Sequence, residues 1–531
     1  MIRKILLVAQ TVRYLKLKQI IYQLYNRLRP QRNLDWYIGK IKKQPEYNSL
    51  LFNLQVDIQE DIITPGNSFT FLNIKHTFDA EIDWGYQAYG KLWNYNLQYF
   101  NFLNQVNITV ERKQQLINDI TNSLKNGKLK LEPYPVALRV LNEIRFFSLQ
   151  KQAEPQSIKS LYGQLSYLSS NFEYHLLGNH LLENAFALLM GGVFFNEQKW
   201  IDNAMQVLKA ELDEQILNDG GHFELSPMYH QIILFRVLEL VDWYGKIENK
   251  DDAFLAFITN KAGNMLGWIQ NVSFNNGDIG HFNDSATGIA FTTNQLLSFA
   301  KELNIIPNRQ LQLKESGYRK YTANNYECVI DFAEIGPAYQ SGHGHADALS
   351  FILNYNNLPV FVEAGTSTYE ANQIRYYERS TAAHNTVVIA DSNQSQVWGA
   401  FRVAERAHTR IISETANAIE AKHDGYLKRY GCIHKRSFVL NANSVSIVDH
   451  VRAKTKDVNR VAYFHFHPDI NILRTDSAFN IKGIGTVSFK GSLAITTEAF
   501  TFADGFNKTR SSIAIKVSFT DTLETLINFD N

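Results

Sequence analysis

The chain has 531 residues, 45% of them hydrophobic and 20% charged, and its 53 Lys and Arg balance 52 Asp and Glu to a formal net charge of +1. That is the composition of a folded protein too long for one hydrophobic core, and it excludes a disordered tail, a collagen-like rod and a coiled coil. Near-neutrality offers no global field for nucleic acid or an anionic membrane, so an anionic ligand must be caught by a local cluster.

At the N-terminus, Arg3 and Lys4 precede a short apolar run, Ile5-Leu6-Leu7-Val8-Ala9, and Arg13, Lys16 and Lys18 follow without a small-residue cleavage site. No stretch approaches the roughly 18 uninterrupted apolar residues of a membrane span. The expectation is a soluble chain with no transmembrane segment and no nucleic-acid partner, cytoplasmic by sequence with periplasmic export left open. Apolar residues then recur at three and four spacing, as at Leu97, Phe100 and Leu103, at Leu138, Leu141 and Ile144, and at Ile232, Phe235, Leu238 and Val241. Gly178-Asn179 is expected to stop one helix and start the next, and Ser226-Pro227 to cap a helix over 228–244. Beyond the polar turn Ile306-Pro307-Asn308-Arg309-Gln310, short β-rich runs take over. They include Cys328-Val329-Ile330-Asp331-Phe332, Asn385-Thr386-Val387-Val388-Ile389 and Val461-Ala462-Tyr463-Phe464-His465-Phe466. The two cysteines, Cys328 and Cys432, form neither a disulfide framework nor a thiolate metal site. An all-α domain over 1–312 and an all-β domain over 313–531 are predicted, the latter an antiparallel sandwich.

Four clusters could carry chemistry. In Gly178-Asn179-His180-Leu181-Leu182-Glu183-Asn184, helical spacing puts His180, Glu183 and Asn184 on one face, either a positioned imidazole or a capped helix with a structural histidine. In Glu224-Leu225-Ser226-Pro227-Met228-Tyr229-His230, Tyr229 falls at the third helical position, where the macrodipole favours tyrosinate; the alternative is a core tyrosine. In Gly342-His343-Gly344-His345-Ala346-Asp347, strand alternation puts His343, His345 and Asp347 on one face. Glu363 and His384 could converge on them as a zinc set or a metal-free polar cluster. The loop Gly277-Asp278-Ile279-Gly280-His281-Phe282-Asn283-Asp284-Ser285 could line a carbohydrate cleft or be turn chemistry. Arg139, Arg375, Arg379 and Arg402 are candidates for holding a carboxylate, or surface ion pairs.

Together these segments resemble the heparinase II/III family of polysaccharide lyases. The resemblance extends to Leu92-Trp93-Asn94-Tyr95-Asn96-Leu97-Gln98-Tyr99-Phe100, Glu132-Pro133-Tyr134-Pro135-Val136-Ala137-Leu138-Arg139, Glu363-Ala364-Gly365-Thr366 and Ala383-His384-Asn385-Thr386. It implies an α+β multidomain protein, an N-terminal incomplete (α/α) toroid followed by a C-terminal antiparallel β-sandwich. It also implies β-elimination at a uronic acid of an acidic polysaccharide, giving a C4–C5 unsaturated product. Asn179 and His180 would then hold or neutralise the uronate, Tyr229 would transfer protons and His343 would assist; in the alternative, His180 is itself the base. Arg139, Glu183, His230, His281 and Arg379 would contact sugar or orient these groups. His345, Glu363 and His384 would hold one structural zinc. Two other readings are a glycoside hydrolase on the same toroid, using Glu224, Asp278 or Asp284, and a non-catalytic surface-polysaccharide binding or assembly factor.

Overall fold

A computed structural model describes residues 2–58, 62–64, 66–150, 153–452, 458–475 and 478–530. Helices dominate as far as Thr293–Glu302, and strands from Tyr318–Thr322 onward, so the change of period beyond the turn at Ile306–Gln310 is a change of architecture. The helices Pro133–Gln150, Pro155–Ser169, Gly178–Phe195, Gln198–Gln215, Pro227–Tyr244 and Asp252–Val272 form an incomplete ring around a continuous apolar interior, in which Gly178–Phe195 packs against Pro133–Gln150, Gln198–Gln215 and Pro227–Tyr244. One feature of this half was not expected: a three-stranded antiparallel sheet, Ile63–Thr64, Ser68–Phe71 and Ile74–Thr77. Its Phe69 and Phe71 pack edge-on against Trp84 and Trp93.

The C-terminal half holds a four-stranded antiparallel sheet, Tyr318–Thr322, Tyr326–Asp331, Phe351–Tyr355 and Leu358–Phe361, and a ten-stranded one. The large sheet is built on two long strands, Gly485–Gly505 and Lys508–Phe529, paired along most of their length. Strand alternation explains why the small sheet reads as continuous apolar sequence. Along Tyr326–Asp331, Tyr326, Cys328 and Ile330 face the large sheet, while Val329 joins the helical core. With helices on one face and a sheet on the other, both faces are buried. The molecule is thus three layers thick at the junction of its halves, and loops of the small sheet lie against helix N-termini.

Candidate active site

A cavity of about 730 Å³ opens at this junction, lined by Asn179, His180, Tyr229 and His343. Three segments far apart in the chain supply them. Two helices begin at its wall, and each is preceded by a leucine in the left-handed region: Leu177 (φ 65°) before Gly178–Phe195, and Leu225 (φ 59°) before Ser226 and Pro227–Tyr244. Such backbone costs on the order of 1–3 kcal/mol and persists where surrounding contacts over-determine it. Here it turns the first residues of both helices toward the cavity.

Asn179 lies inside the first turn and caps nothing, because the preceding helix ends at Ser169. Its backbone N–H and side-chain amide all donate to the buried Glu224 carboxylate (2.9–3.1 Å). A Cβ on Gly178 would stand 2.5 Å from that carboxylate, so the glycine is what admits it. With both oxygens of Glu224 engaged by the amide, Asn179 Oδ1 remains a buried acceptor without a hydrogen-bond partner among the described residues.

His180 hydrogen-bonds through Nδ1 to Glu173 Oε1 (3.2 Å), and Asn184 donates to the other oxygen of the same carboxylate (3.1 Å). The expected grouping of His180 with Asn184 therefore exists, bridged by Glu173. Burial pushes the His180 imidazole down, but Glu173, by charge and hydrogen bond, with Glu224 and Glu183 behind it, outweighs that and leaves the pKa above its ordinary value.

Ser226 caps its helix as expected, accepting from Tyr229 N at 3.2 Å. The Tyr229 ring stacks at 4.0 Å on His343 and its hydroxyl meets that of Tyr369 at 3.2 Å. The expected bias toward tyrosinate is overridden: burial, then Tyr369, with Asp284 and Glu224 beyond, hold Tyr229 well above the ordinary tyrosine pKa. Residues 342–350 are loop and not strand, yet His343 and His345 do converge. His343 Nδ1 donates to Asp284 Oδ2 (2.8 Å) and His345 Nε2 to Asp284 Oδ1 (2.9 Å). Arg375 grips the same carboxylate with both guanidinium nitrogens. Burial alone would raise Asp284, but Arg375 and the two histidine hydrogen bonds hold it well below the usual carboxylate range.

Cations collect on the cavity wall: Arg27, Lys91, Arg402 and Arg406, against one carboxylate, Glu370. Of the carboxylate-holding candidates, Arg402 is therefore at the cavity and Arg375 is buried behind it.

The other expected sugar contacts do not line this cavity. Arg139 is fully buried and donates to Gln164 and the Gln98 carbonyl. Glu183 turns away from His180 to pair with Arg236 (3.0 Å). His230 is a core residue, hydrogen-bonded to the Met265 carbonyl and stacked on Trp268. Arg379 clasps the carbonyls of Gly344 and Ala400. His281 lines a separate 250 Å³ cavity with Asp278 and His467. Helical and loop spacing carried no information on which way these side chains turn. Glu173 and Tyr369 went unnoticed in the sequence because they lie in segments without a period or motif; Tyr134, although within the Glu132–Arg139 segment that carries the resemblance, was not singled out, and its ring lies 4.2 Å from that of His180.

Behind His343, one ligand atom from each of His345, Asp347 and His384 lies within 4.8 Å of the others. Glu363, expected in place of Asp347, touches His384 through one carboxylate oxygen and stands beside the triad. His345 Nδ1, Asp347 Oδ2, both oxygens of Glu363 and both nitrogens of His384 are buried without a hydrogen-bond partner among the described residues. So many orphaned donor atoms in one place fit a metal ion. Asp284 supplies the outer contact that holds His345 with Nδ1 free, as ligating histidines need.

Comparison with known proteins identifies the family and the fold. The family model "Heparinase II/III N-terminus" matches residues 144–312 and "Heparinase II/III-like, C-terminal" residues 306–530. A heparin-sulfate lyase of Bacteroides stercoris is 23% identical over 316 residues, and one of Pedobacter heparinus 27% over 313; each alignment covers 52% of this chain and 46% of the relative. The chain thus spans about half the length of these curated relatives. The crystal structure of heparinase III superposes with a TM-score of 0.68 at 16% identity, over 94% of this chain and 89% of that one. Helical ring, paired sheets and both matched domains agree: this chain belongs to the heparinase II/III family.

Proposed function

We propose that the protein is a polysaccharide lyase that cleaves a uronate-containing glycan by β-elimination. The observation that carries this reading is the meeting of Asn179, His180, Tyr229 and His343 at one cation-lined cavity. A uronate bound there meets His180, whose protonated form Glu173 favours, with Asn179 beside it. The imidazolium neutralises the carboxylate and so acidifies the neighbouring C5–H.

Tyr229 is a neutral phenol in the resting protein, so the sequence begins with its proton passing to His343, whose Nδ1–H is held by Asp284. The phenolate takes the C5 proton, the C5–H electrons form the C4–C5 double bond, and the C4–O bond breaks. The His343 imidazolium then protonates the departing oxygen, returning both side chains to their starting states. No water is consumed. A zinc ion held by His345, Asp347 and His384, with Glu363 alongside, would tie the loops behind His343 together.

The hydrolase reading fares worse. Asp284 is held ionised by Arg375 and two histidines, so it cannot serve as the general acid, and neither Glu224 nor Asp284 lines the cavity. Asp278 is exposed at the smaller cavity. The test is a panel of uronate polysaccharides followed by ultraviolet absorbance of the unsaturated product and, in parallel, by total chain cleavage. Cleavage with equal formation of the unsaturated chromophore supports the lyase. Cleavage without the chromophore identifies a hydrolase, and glycan binding without cleavage identifies a binding factor.

A further inference from the structure

The first two helices, Ile2–Val12 and Leu17–Leu28, are mounted inside out. Their polar side chains attach them to the body. The buried Gln19 donates to the carbonyls of Leu176 and Tyr339, Asn26 meets His175 at 3.1 Å, Lys16 pairs with Glu214, and Thr11 accepts from Trp398 Nε1 at 3.1 Å. The apolar side chains face outward. Leu17, Ile21, Leu24, Tyr25 and Leu28 recur at helical spacing along one face, each 52–84% exposed, and Ile5 and Leu6 on the first helix are more than half exposed. A soluble helix buries that stripe; here nothing among the described residues covers it.

Charge is distributed just as unevenly. The first 43 residues contain eleven Lys and Arg and one Asp, a net of +10, in a chain whose total is +1, so the remaining 488 residues carry −9. Trp36, partly exposed in the same basic segment, has Arg32 and Lys40 over its ring.

We propose that this helix pair is a docking surface for an anionic lipid bilayer, lying in the plane of the membrane interface with its apolar stripe inserted and its cations among the headgroups. Charge selects this occupant. A second copy would bring one basic segment against another. An acidic polysaccharide would satisfy the cations but has nothing to offer an exposed row of Leu, Ile and Tyr. The other side of the same helices, with Thr11, Gln19, Gln23 and Arg27, forms one wall of the large cavity. Docking would therefore hold that cavity about one helix diameter, ~10 Å, from the headgroups. The proposal does not rest on the lyase reading.

The test is flotation of the full chain with phosphatidylcholine vesicles, with and without phosphatidylglycerol, at low and high salt. The wild type is expected to float with the anionic vesicles at least about tenfold better than with the neutral ones, and to be released by salt. Ile21→Glu/Leu24→Glu should lose binding by a similar factor, while Leu473→Glu, an exposed apolar residue of the far sheet, should not. Circular dichroism on each variant establishes that the fold is retained. No flotation, equal flotation with both vesicle types, or equal loss in both variants would overturn the proposal. So would a lipid-free dimer that Ile21→Glu/Leu24→Glu dissolves, or retention by an acidic glycan without vesicle binding.

Discussion

Tyr229→Phe removes one oxygen from the cavity and nothing else. The only hydrogen bond described for that oxygen is to Tyr369 at 3.2 Å, a contact between neutral groups worth about 0.5–1.5 kcal/mol to the fold. The ring keeps its stacking on His343 at 4.0 Å, so its neighbours have no reason to move. If the phenol relays the proton, the variant loses on the order of 10²–10⁴ in kcat. At 1.36 kcal/mol per decade this is about 3–5 kcal/mol of barrier, several times the cost to stability. Chromophore formation on the substrate found by the panel gives kcat, and thermal unfolding gives the stability. A variant that turns over within about threefold of wild type would refute the assignment. One that unfolds in parallel with its loss of activity would show that the hydroxyl is structural.

Three further outcomes follow from the same geometry. Glu173→Gln removes the carboxylate that raises the His180 pKa, so the alkaline limb of the activity profile, where protonated His180 is lost, should move to lower pH. Because that pKa is raised in the folded state, any stability lost by the variant should be largest below about pH 6.5 and fade as pH rises through the folded value; an unmoved alkaline limb would disprove His180 as the cationic group. Asp284→Asn leaves the fully buried Arg375 without its counter-charge, and should cost about 3–5 kcal/mol of stability measured by denaturant unfolding; less than about 1 kcal/mol would contradict the buried pair. Exhaustive chelation should lower the melting temperature and a single equivalent of zinc should restore it. A metal-free chain with unchanged melting would remove the ion from the picture.

The fold was legible wherever period and burial coincide. The helical spacing of Ile232, Phe235, Leu238 and Val241 lies in Pro227–Tyr244, and the run around Val329 is a strand because both its faces are covered. The small sheet at Ile63–Thr77 was not legible. Its strands are two to four residues long, too short for alternation to be told from a loop, and they owe their pairing to Trp84 and Trp93 beneath them. The outward face of the N-terminal helices was not legible either. The short run Ile5–Ala9 was read only for targeting, and the exposed spacing of Leu17, Ile21, Leu24 and Leu28 emerges only from the structure.

At the site, residue types were legible and their partners were not. Glu224 and Asp284 were singled out as carboxylates capable of acid–base work, a role that depends on which oxygens are free. Glu224 is engaged by the Asn179 amide, and Asp284 by Arg375, His343 and His345. Each is fully spent on orientation. Asp284 in particular faces both ways, fixing His343 toward Tyr229 through one oxygen and His345 toward His384 through the other. A single carboxylate thus links the Tyr229–His343 wall of the cavity to the His345–Asp347–His384 cluster. No spacing rule could have found that link, because its four members come from the loop at 283–285, the loop at 342–346 and the short helix Gln373–Glu378, which meet only when the helical ring closes against the small sheet.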